Sequence, residues 1–233
     1  MNINIKNHNY LLIISFIVFY LRVSSVAFSQ ESNVPIMTEE ELMENVLKIE
    51  KMQSNYDYYE AMDLAQDAKV VAMYYDNTVA LTKLYKIIGQ SYEVNGELNK
   101  SFENYNKAVM HAKLNRNDSL VTALYYNLAK LTNLQNRPVE ESTFFYQKII
   151  ENAKISGDVI ELVRAKNNIA QIYLMKKRPE SALPYLEAAN LFAGKIRKHN
   201  EYVKLQYLYS YYNALLGEFE GVDKYLYLSL IHI

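Results

Sequence analysis

The sequence has no cysteine, and only 4 prolines and 6 glycines among its 233 residues. Without cysteine the chain can form no disulfide, no thiol nucleophile and no cysteine-ligated metal site. The scarcity of proline and glycine disfavours a sheet with many tight turns and favours a mostly helical fold. The formal net charge is -1, so charge gives no indication of nucleic-acid binding.

Apolar residues make up 50% of the chain and charged residues 22%, which is enough for a substantial core and argues against disorder. No catalytic constellation stands out. The histidines after residue 29 (His111, His199 and His232) are dispersed, and the segment GQSYE at 89–93 has Glu93 where a nucleophile elbow needs glycine. Acidic runs at 39–41 and 140–141 fall in predicted first turns of helices, where they complement the helix dipole. The sequence therefore predicts no enzyme, no metal and no cofactor.

The first 29 residues predict an export signal. Lys6 supplies positive charge, residues 10–21 form a continuous apolar run, and Ala27 and Ser29 precede a cleavage point before Gln30. The apolar run is shorter than the roughly 20 residues of a membrane span. An uncleaved N-terminal anchor is the alternative. We predict a signal peptide over 1–29, a linker over 30–37 and a net charge of -3 for the chain without residues 1–29.

The rest of the chain repeats one pattern. Residues 80–114 read as two amphipathic helices joined by a turn at Asn95-Gly96. Equivalent turns recur every 40 or 41 residues, and the second helices are predicted to begin at Asp57, Glu97, Pro138, Pro179 and Glu218. The turns between repeats carry the N-capping candidates Asn77, Asn117 and Asp158. Asn117-Asp118-Ser119 also fits a glycosylation acceptor, but we interpret Asn117 as an N-cap.

The best copy carries Tyr85, Ile88-Gly89 and Tyr92 in its first helix, then Ser101, Tyr105 and Ala108 in its second. This pattern resembles the tetratricopeptide repeat (TPR) family, in a long-helix variant of about 40 residues. The resemblance implies an all-α, right-handed superhelical solenoid of antiparallel helix pairs over 38–233. The repeats are expected at about 38–77, 78–117, 118–158, 159–199 and 200–233, the last of them truncated.

Three local expectations follow. The first copy has a degenerate first helix and is expected to be a terminal cap whose outer face meets water. Pro184 is expected to kink the second helix of the fourth copy or to delay its start toward Ser181.

Many of the 22 tyrosines are expected to pack helix on helix, and a platform for stacking bases or sugars is the alternative. These packing tyrosines are Tyr85, Tyr92, Tyr105, Tyr125, Tyr146, Tyr173, Tyr185 and Tyr209.

In the family that the chain resembles, the first helices line a concave, ligand-holding face. Aligning the copies on Gly89, Ala129, Ala170 and Ser210 assigns candidate binding residues to that face. They are Lys83, Lys86, Gln90, Tyr126, Asn127, Lys130, Arg164, Asn167, Asn168, Gln171, Lys204, Tyr207 and Tyr211. The set is basic and amide-rich, with Glu93 as the only acid placed nearby.

This set faintly resembles the carboxylate clamp of chaperone adaptors, although Gln90 and Asn168 depart from that pattern. It implies a protein partner or an extended peptide that carries acidic side chains or a free carboxylate, and no nucleic acid. The alternative is that these exposed positions are simply polar.

Residues 225–233 (YLYLSLIHI) carry no charge and leave the last helix without a polar outer face, so we expect the chain to be a fragment. The signal, the repeats and the lysine, asparagine and tyrosine usage resemble the exported sensor regions of Bacteroidetes-type regulators. This resemblance implies a non-catalytic periplasmic or cell-surface scaffold of a Gram-negative bacterium. Such a scaffold would be the sensing or interaction region of a larger signal-transduction regulator, membrane-tethered by a downstream segment. The alternative is a self-contained periplasmic or surface scaffold for envelope complex assembly.

Overall fold

A computed structural model describes residues 37–218 and 221–222, and that part of the chain is built from helices joined by short turns, with no strand. The helices are α1 (Glu39–Ser54), α2 (Tyr58–Tyr74), α3 (Thr78–Val94), α4 (Leu98–Leu114), α5 (Asp118–Leu134), α6 (Val139–Ser156), α7 (Val159–Met175), α8 (Pro179–Asn190), α9 (Ala193–Ile196) and α10 (Asn200–Leu216). The predicted signal peptide and the apolar segment 225–233 lie outside the described residues.

Neighbouring helices pack along the chain as antiparallel pairs: α1 with α2, α3 with α4, α5 with α6, and α7 with α8. Contacts of α1 with α3, and of α7 with α10, place the first helices of successive pairs side by side. The predicted all-α solenoid of helix pairs is confirmed. Neither helix of a pair could bury its apolar face alone, so each pair covers the next.

Eight helix ends share one turn geometry. Each has one residue with φ in the left-handed region, and the next amide donates to the carbonyl five residues back, as Glu97 N does to Tyr92 O at 2.9 Å. The left-handed residues are Tyr56, Asp76, Gly96, Arg116, Asn136, Gly157, Lys177 and Gly217. Turns within repeats and turns between repeats therefore have the same geometry. The sequence pattern indicated only the period of 40 or 41 residues and not this likeness.

The two classes of helix begin differently. The first helices all start with a side chain that accepts a hydrogen bond from an amide of the first turn, whereas α2, α4, α6 and α8 have no such cap. The capping residues are Thr38, Asn77, Asn117, Asp158 and His199. The N-cap predictions for Asn77, Asn117 and Asp158 are confirmed.

The predicted starts of the second helices are one residue early in three cases. Asp57, Glu97 and Pro138 precede α2, α4 and α6 because their backbone dihedrals are not yet helical. Pro179 does open α8, so the delayed start toward Ser181 is wrong. The α8 helix is only 12 residues long, and the chain leaves it at Leu191 before the short α9.

The core runs between the helix pairs and contains several of the tyrosines. Tyr85, Tyr105, Tyr125 and Tyr146 are buried. Tyr92, Tyr173, Tyr185 and Tyr209 are partly buried and pack against core residues. The interpretation of these tyrosines as packing residues is confirmed. Polar side chains also join the repeats, as where buried Gln53 of α1 donates to the carbonyl of Ile87 in α3 at 3.0 Å.

Candidate functional site

The first helices α1, α3, α5, α7 and α10 form one surface, here named the first-helix face. Ion pairs and hydrogen bonds bridge each neighbouring pair of these helices. Lys83 of α3 lies 2.8 Å from Glu50 of α1, and Lys130 of α5 lies 2.5 Å from Glu93 of α3. The bridges continue through Tyr126 and Arg164 to the last of these helices.

Glu93 is the connection between α3, α4 and α5. One carboxylate oxygen pairs with Lys130, and the other accepts a hydrogen bond from the hydroxyl of Tyr105 in α4 at 3.0 Å. Burial and the nearby Glu93 charge raise the pKa of Tyr105. Its hydroxyl therefore stays protonated and donates a hydrogen bond to Glu93. Two helices therefore fix the Glu93 side chain in place.

Arg164 and its hydrogen-bond partners link α5, α7 and α10, and this group is here named the Arg164 connection. The guanidinium donates to Glu161 at 2.7 Å and to Glu201 at 3.0 Å, and the hydroxyl of Tyr126 donates to the other oxygen of Glu161. Burial and the hydrogen bond to Glu161 raise the pKa of Tyr126, so it remains a donor. Asn167, fully buried, also donates to the Glu201 side chain at 3.2 Å and to its backbone carbonyl at 3.0 Å.

A further bridge runs from α10 to α7. Lys204 donates to the amide oxygen of Asn168 at 2.6 Å. Burial lowers the pKa of Lys204, although Glu201 acts in the opposite direction. The amide oxygen thus holds a half-buried cation.

The ion pairs of the first-helix face are layered. In three of them the carboxylate is more buried than its cation: Lys130 is 61% exposed and Glu93 12%, while Arg164 is 36% exposed against 17% for Glu161 and 13% for Glu201. Lys83 and Glu50 are equally exposed. The face therefore presents nitrogen donors outward and keeps most of its carboxylates beneath them.

The other predicted residues lie on the same helices. Lys86, Gln90, Asn127, Gln171 and Tyr211 are half-buried, and Tyr207 is exposed. Lys86 forms no ion pair with any residue in the described part of the chain. No described carboxylate therefore neutralises its ammonium group.

The expectation that Glu93 is the only acid near this face is wrong, since Glu50, Glu161 and Glu201 also belong to it. The sequence did not assign Glu161 and Glu201 to this face because acids in the first turn of a helix are already explained by the helix dipole. A usable signal was present: Glu161 and Glu201 are one repeat apart, and Glu161 precedes Arg164 by three residues.

A cleft of about 610 Å³ adjoins the Arg164 connection. It opens between the start of α5, the end of α6 and the start of α7, and Tyr126, Glu161 and Arg164 lie on its wall. A side chain from a bound peptide could enter beside the guanidinium.

Among the described residues there is no group of three metal-ligating side chains. In the same residues no helix is long and apolar enough to cross a membrane.

No family model and no curated protein matches the sequence. Solved structures do match. BtubC (BKLC) from P. vanneervenii superposes with a TM-score of 0.68 at 15% identity, over 91% of this chain and 85% of that chain. A Podosopora anserina protein described as a putative kinesin light chain with nearly identical TPR-like repeats gives a TM-score of 0.63 at 13% identity, over 82% and 94%. A substituted form of that protein also gives 0.63 at 13% identity, over 82% and 93%.

The fold is a TPR-like solenoid. At these identities the likeness shows the fold alone, and the TPR-like fold agrees with the family that the repeat pattern resembles. The first-helix face is the surface on which this solenoid brings the predicted residues together.

Proposed function

We propose that the chain is a non-catalytic TPR-like scaffold that holds an extended peptide or protein segment on its first-helix face. The partner carries acidic side chains or a free carboxylate. The observation that supports this proposal is the layering of the face, with Lys130 and Arg164 outward and their carboxylate partners beneath. An incoming carboxylate meets nitrogen donors first, and charge-assisted hydrogen bonds to it are about twice as strong as neutral ones.

Lys86 strengthens the preference because no described carboxylate neutralises it. The amides of Gln90, Asn127 and Gln171 supply donors and acceptors for a peptide backbone. The paired carboxylates reduce the net positive charge of the face. Selectivity then depends on the position of the donors more than on long-range attraction.

Two labelled peptides of equal length test this proposal, one with glutamate and one with lysine at the same positions. Binding is measured by fluorescence anisotropy on the wild type and on Lys86→Glu. The matched control is Lys176→Glu, because Lys176 is exposed in the turn after α7 and also forms no ion pair with a described residue. We expect Lys86→Glu to weaken the glutamate peptide about tenfold and the control to leave it unchanged. Equal affinities for the two peptides, or equal losses in both variants, would contradict the proposal.

We propose further that this scaffold acts after export, in the periplasm or at the cell surface, as the sensing or interaction region of a larger signal-transduction regulator. The charge, the apolar run and the small residues of segment 1–29 support export. Cell fractionation together with N-terminal sequencing tests this, and the expected mature start is Gln30. An intact N-terminus at Met1 in a cytoplasmic fraction would contradict export.

The regulator assignment is tested on the gene downstream of residue 233. An apolar span of about 20 residues followed by a cytoplasmic output module is expected. A stop codon soon after a polar capping helix would instead favour the self-contained scaffold for envelope complexes.

A further inference from the structure

Charge is divided unevenly along the solenoid. Residues 38–77, which form the first helix pair and its turns, carry ten acidic and three basic side chains, a net charge of -7. Residues 78–218 carry thirteen acidic and nineteen basic side chains, a net charge of +6. The near-neutral chain therefore has a strongly acidic first repeat.

The first repeat also exposes unusually many large apolar and aromatic side chains. Tyr59, Val70, Met73 and Tyr74 of α2, and Leu47 of α1, are each more than half exposed. A terminal repeat that serves only as a cap has a polar outer face. The first repeat therefore exposes more apolar surface than a cap requires.

A groove of about 290 Å³ lies between α1 and α2 in this repeat. Its floor is formed by buried Ile49, Ala68 and Val71, and its rim carries Asn45, Lys48, Leu64 and Asp67. Met37 lies at one side, where its carbonyl accepts a hydrogen bond from the hydroxyl of Tyr75 at 3.0 Å. The groove is apolar below and polar only at its rim.

Three carboxylates lie along α2, and one of them, Asp67, lines the groove. Glu60, Asp63 and Asp67 occur at steps of three and four residues, and all three are exposed. None of them forms an ion pair with a residue in the described ranges. Like charges four residues apart, such as Asp63 and Asp67, destabilise a helix. A positively charged partner would relieve this repulsion.

We propose that this groove is a docking site for an amphipathic helix of another protein, with an apolar stripe and with lysine or arginine beside the stripe. The apolar stripe packs against Met37 and Leu64, above the buried Ile49, Ala68 and Val71, as in other helix-in-groove complexes. The basic side chains pair with Glu60, Asp63 and Asp67, which supply charge complementarity and fix the direction of the helix. This surface shares α1 with the first-helix face but is lined by other residues, and it selects a positively charged partner rather than an acidic one.

The probe is a fluorescein-labelled 18-residue helical peptide with leucines on one stripe and lysines beside it. Two control peptides replace the lysines by glutamate or scramble the order of leucine and lysine. The test variant is Asp63→Lys with Asp67→Lys. The control variant is Glu103→Lys with Glu187→Lys, because both acids are exposed on other repeats and form no ion pair with described residues. Circular dichroism establishes that both variants keep their helices.

We expect the leucine–lysine peptide to bind at least about tenfold more tightly than either control peptide. The test variant should weaken this binding about tenfold, and the control variant should leave it within about twofold. Lys86→Glu should leave it unchanged, which separates this site from the first-helix face.

Several results would overturn the proposal. One is equal binding of the scrambled or glutamate peptide, and another is an equal loss in the control variant. Absence of binding of the leucine–lysine peptide to the wild type would also contradict it. A dimer that is detected by sedimentation, depends on Asp63 and Asp67 and excludes the peptide would identify a second copy as the occupant.

Discussion

The ring of Tyr105 lies directly against the backbone of α3 at Gly89, where a Cβ atom would come within 2.9 Å of its Cδ1. This close approach lets the Tyr105 hydroxyl reach Glu93, one turn further along α3, at 3.0 Å. Glu93 in turn holds Lys130 at 2.5 Å. A packing contact inside the second repeat thus positions a charged group on the first-helix face.

Replacing Gly89 by alanine should therefore destabilise the protein, even though alanine is the better helix former. The added methyl group overlaps the Tyr105 ring, and overpacking of this kind costs about 1–3 kcal/mol of unfolding free energy. Urea denaturation measures the loss. Gly194→Ala is the control, because a Cβ there meets nothing within 4 Å. Equal stabilities of the two variants would contradict the packing account.

The shared turn geometry predicts a stabilising substitution. Arg116 has φ +52°, an exposed side chain and no ion pair with a described residue, so glycine should fit its position better. Arg116→Gly is expected to raise the unfolding free energy by about 1 kcal/mol. The converse change, Gly157→Ala at φ +74°, should lower it by a similar amount. A loss of stability in Arg116→Gly would show that Arg116 has a role beyond the turn.

The Arg164 connection should contribute more to stability than an exposed ion pair. Glu201→Gln removes the charge that pairs with Arg164 at 3.0 Å and weakens the contact with buried Asn167 at 3.2 Å. We expect a loss of about 1–3 kcal/mol by chemical denaturation. The matched change Glu151→Gln, at the exposed pair with Lys148, should cost less than about 0.5 kcal/mol. Similar losses would mean that the connection on α7 is no stronger than a surface pair.

Stability should also depend on His111. Burial lowers its pKa, although Asp76 acts in the opposite direction, and its ring stacks on Tyr85 at 5.6 Å between centroids. Because the folded pKa is below the unfolded value of about 6.5, the contribution of neutral His111 is complete above that pH and is lost as the pH falls below it. Denaturation at about pH 7.5 and 5.5 should show a larger drop for the wild type than for His111→Gln. An equal drop would exclude His111 as a contributor.

The helix pairs could be predicted from the sequence because turn residues and apolar positions repeat with one period. This repeat is present in every copy. Asn77, Asn117 and Asp158 were recognised as caps since their type and place agree. The left-handed turn at Lys177 was not foreseen, because a lysine gives no sign of a positive φ.

The candidate site was only partly predictable. The first-helix positions of Lys130 and Arg164 followed from the repeat, but their partners did not. Glu93 lies 37 residues before Lys130, and Glu201 lies 37 residues after Arg164. Such pairs depend on how far neighbouring first helices are shifted along their axes relative to each other. The periodicity of apolar residues within one helix gives no information about that shift. The layering of carboxylates beneath cations likewise appears only once the helices are packed.

We propose that the first-helix face recognises carboxylates through outward-facing cations. The most direct test of this proposal compares one glutamate-containing peptide with its glutamine twin on the wild-type protein, by calorimetry at low and high salt. We predict that the glutamate peptide binds about tenfold more tightly at low salt and that the ratio shrinks at high salt as the exposed charges are screened. Equal affinities of the two peptides at low salt would show that the first-helix face does not recognise carboxylates.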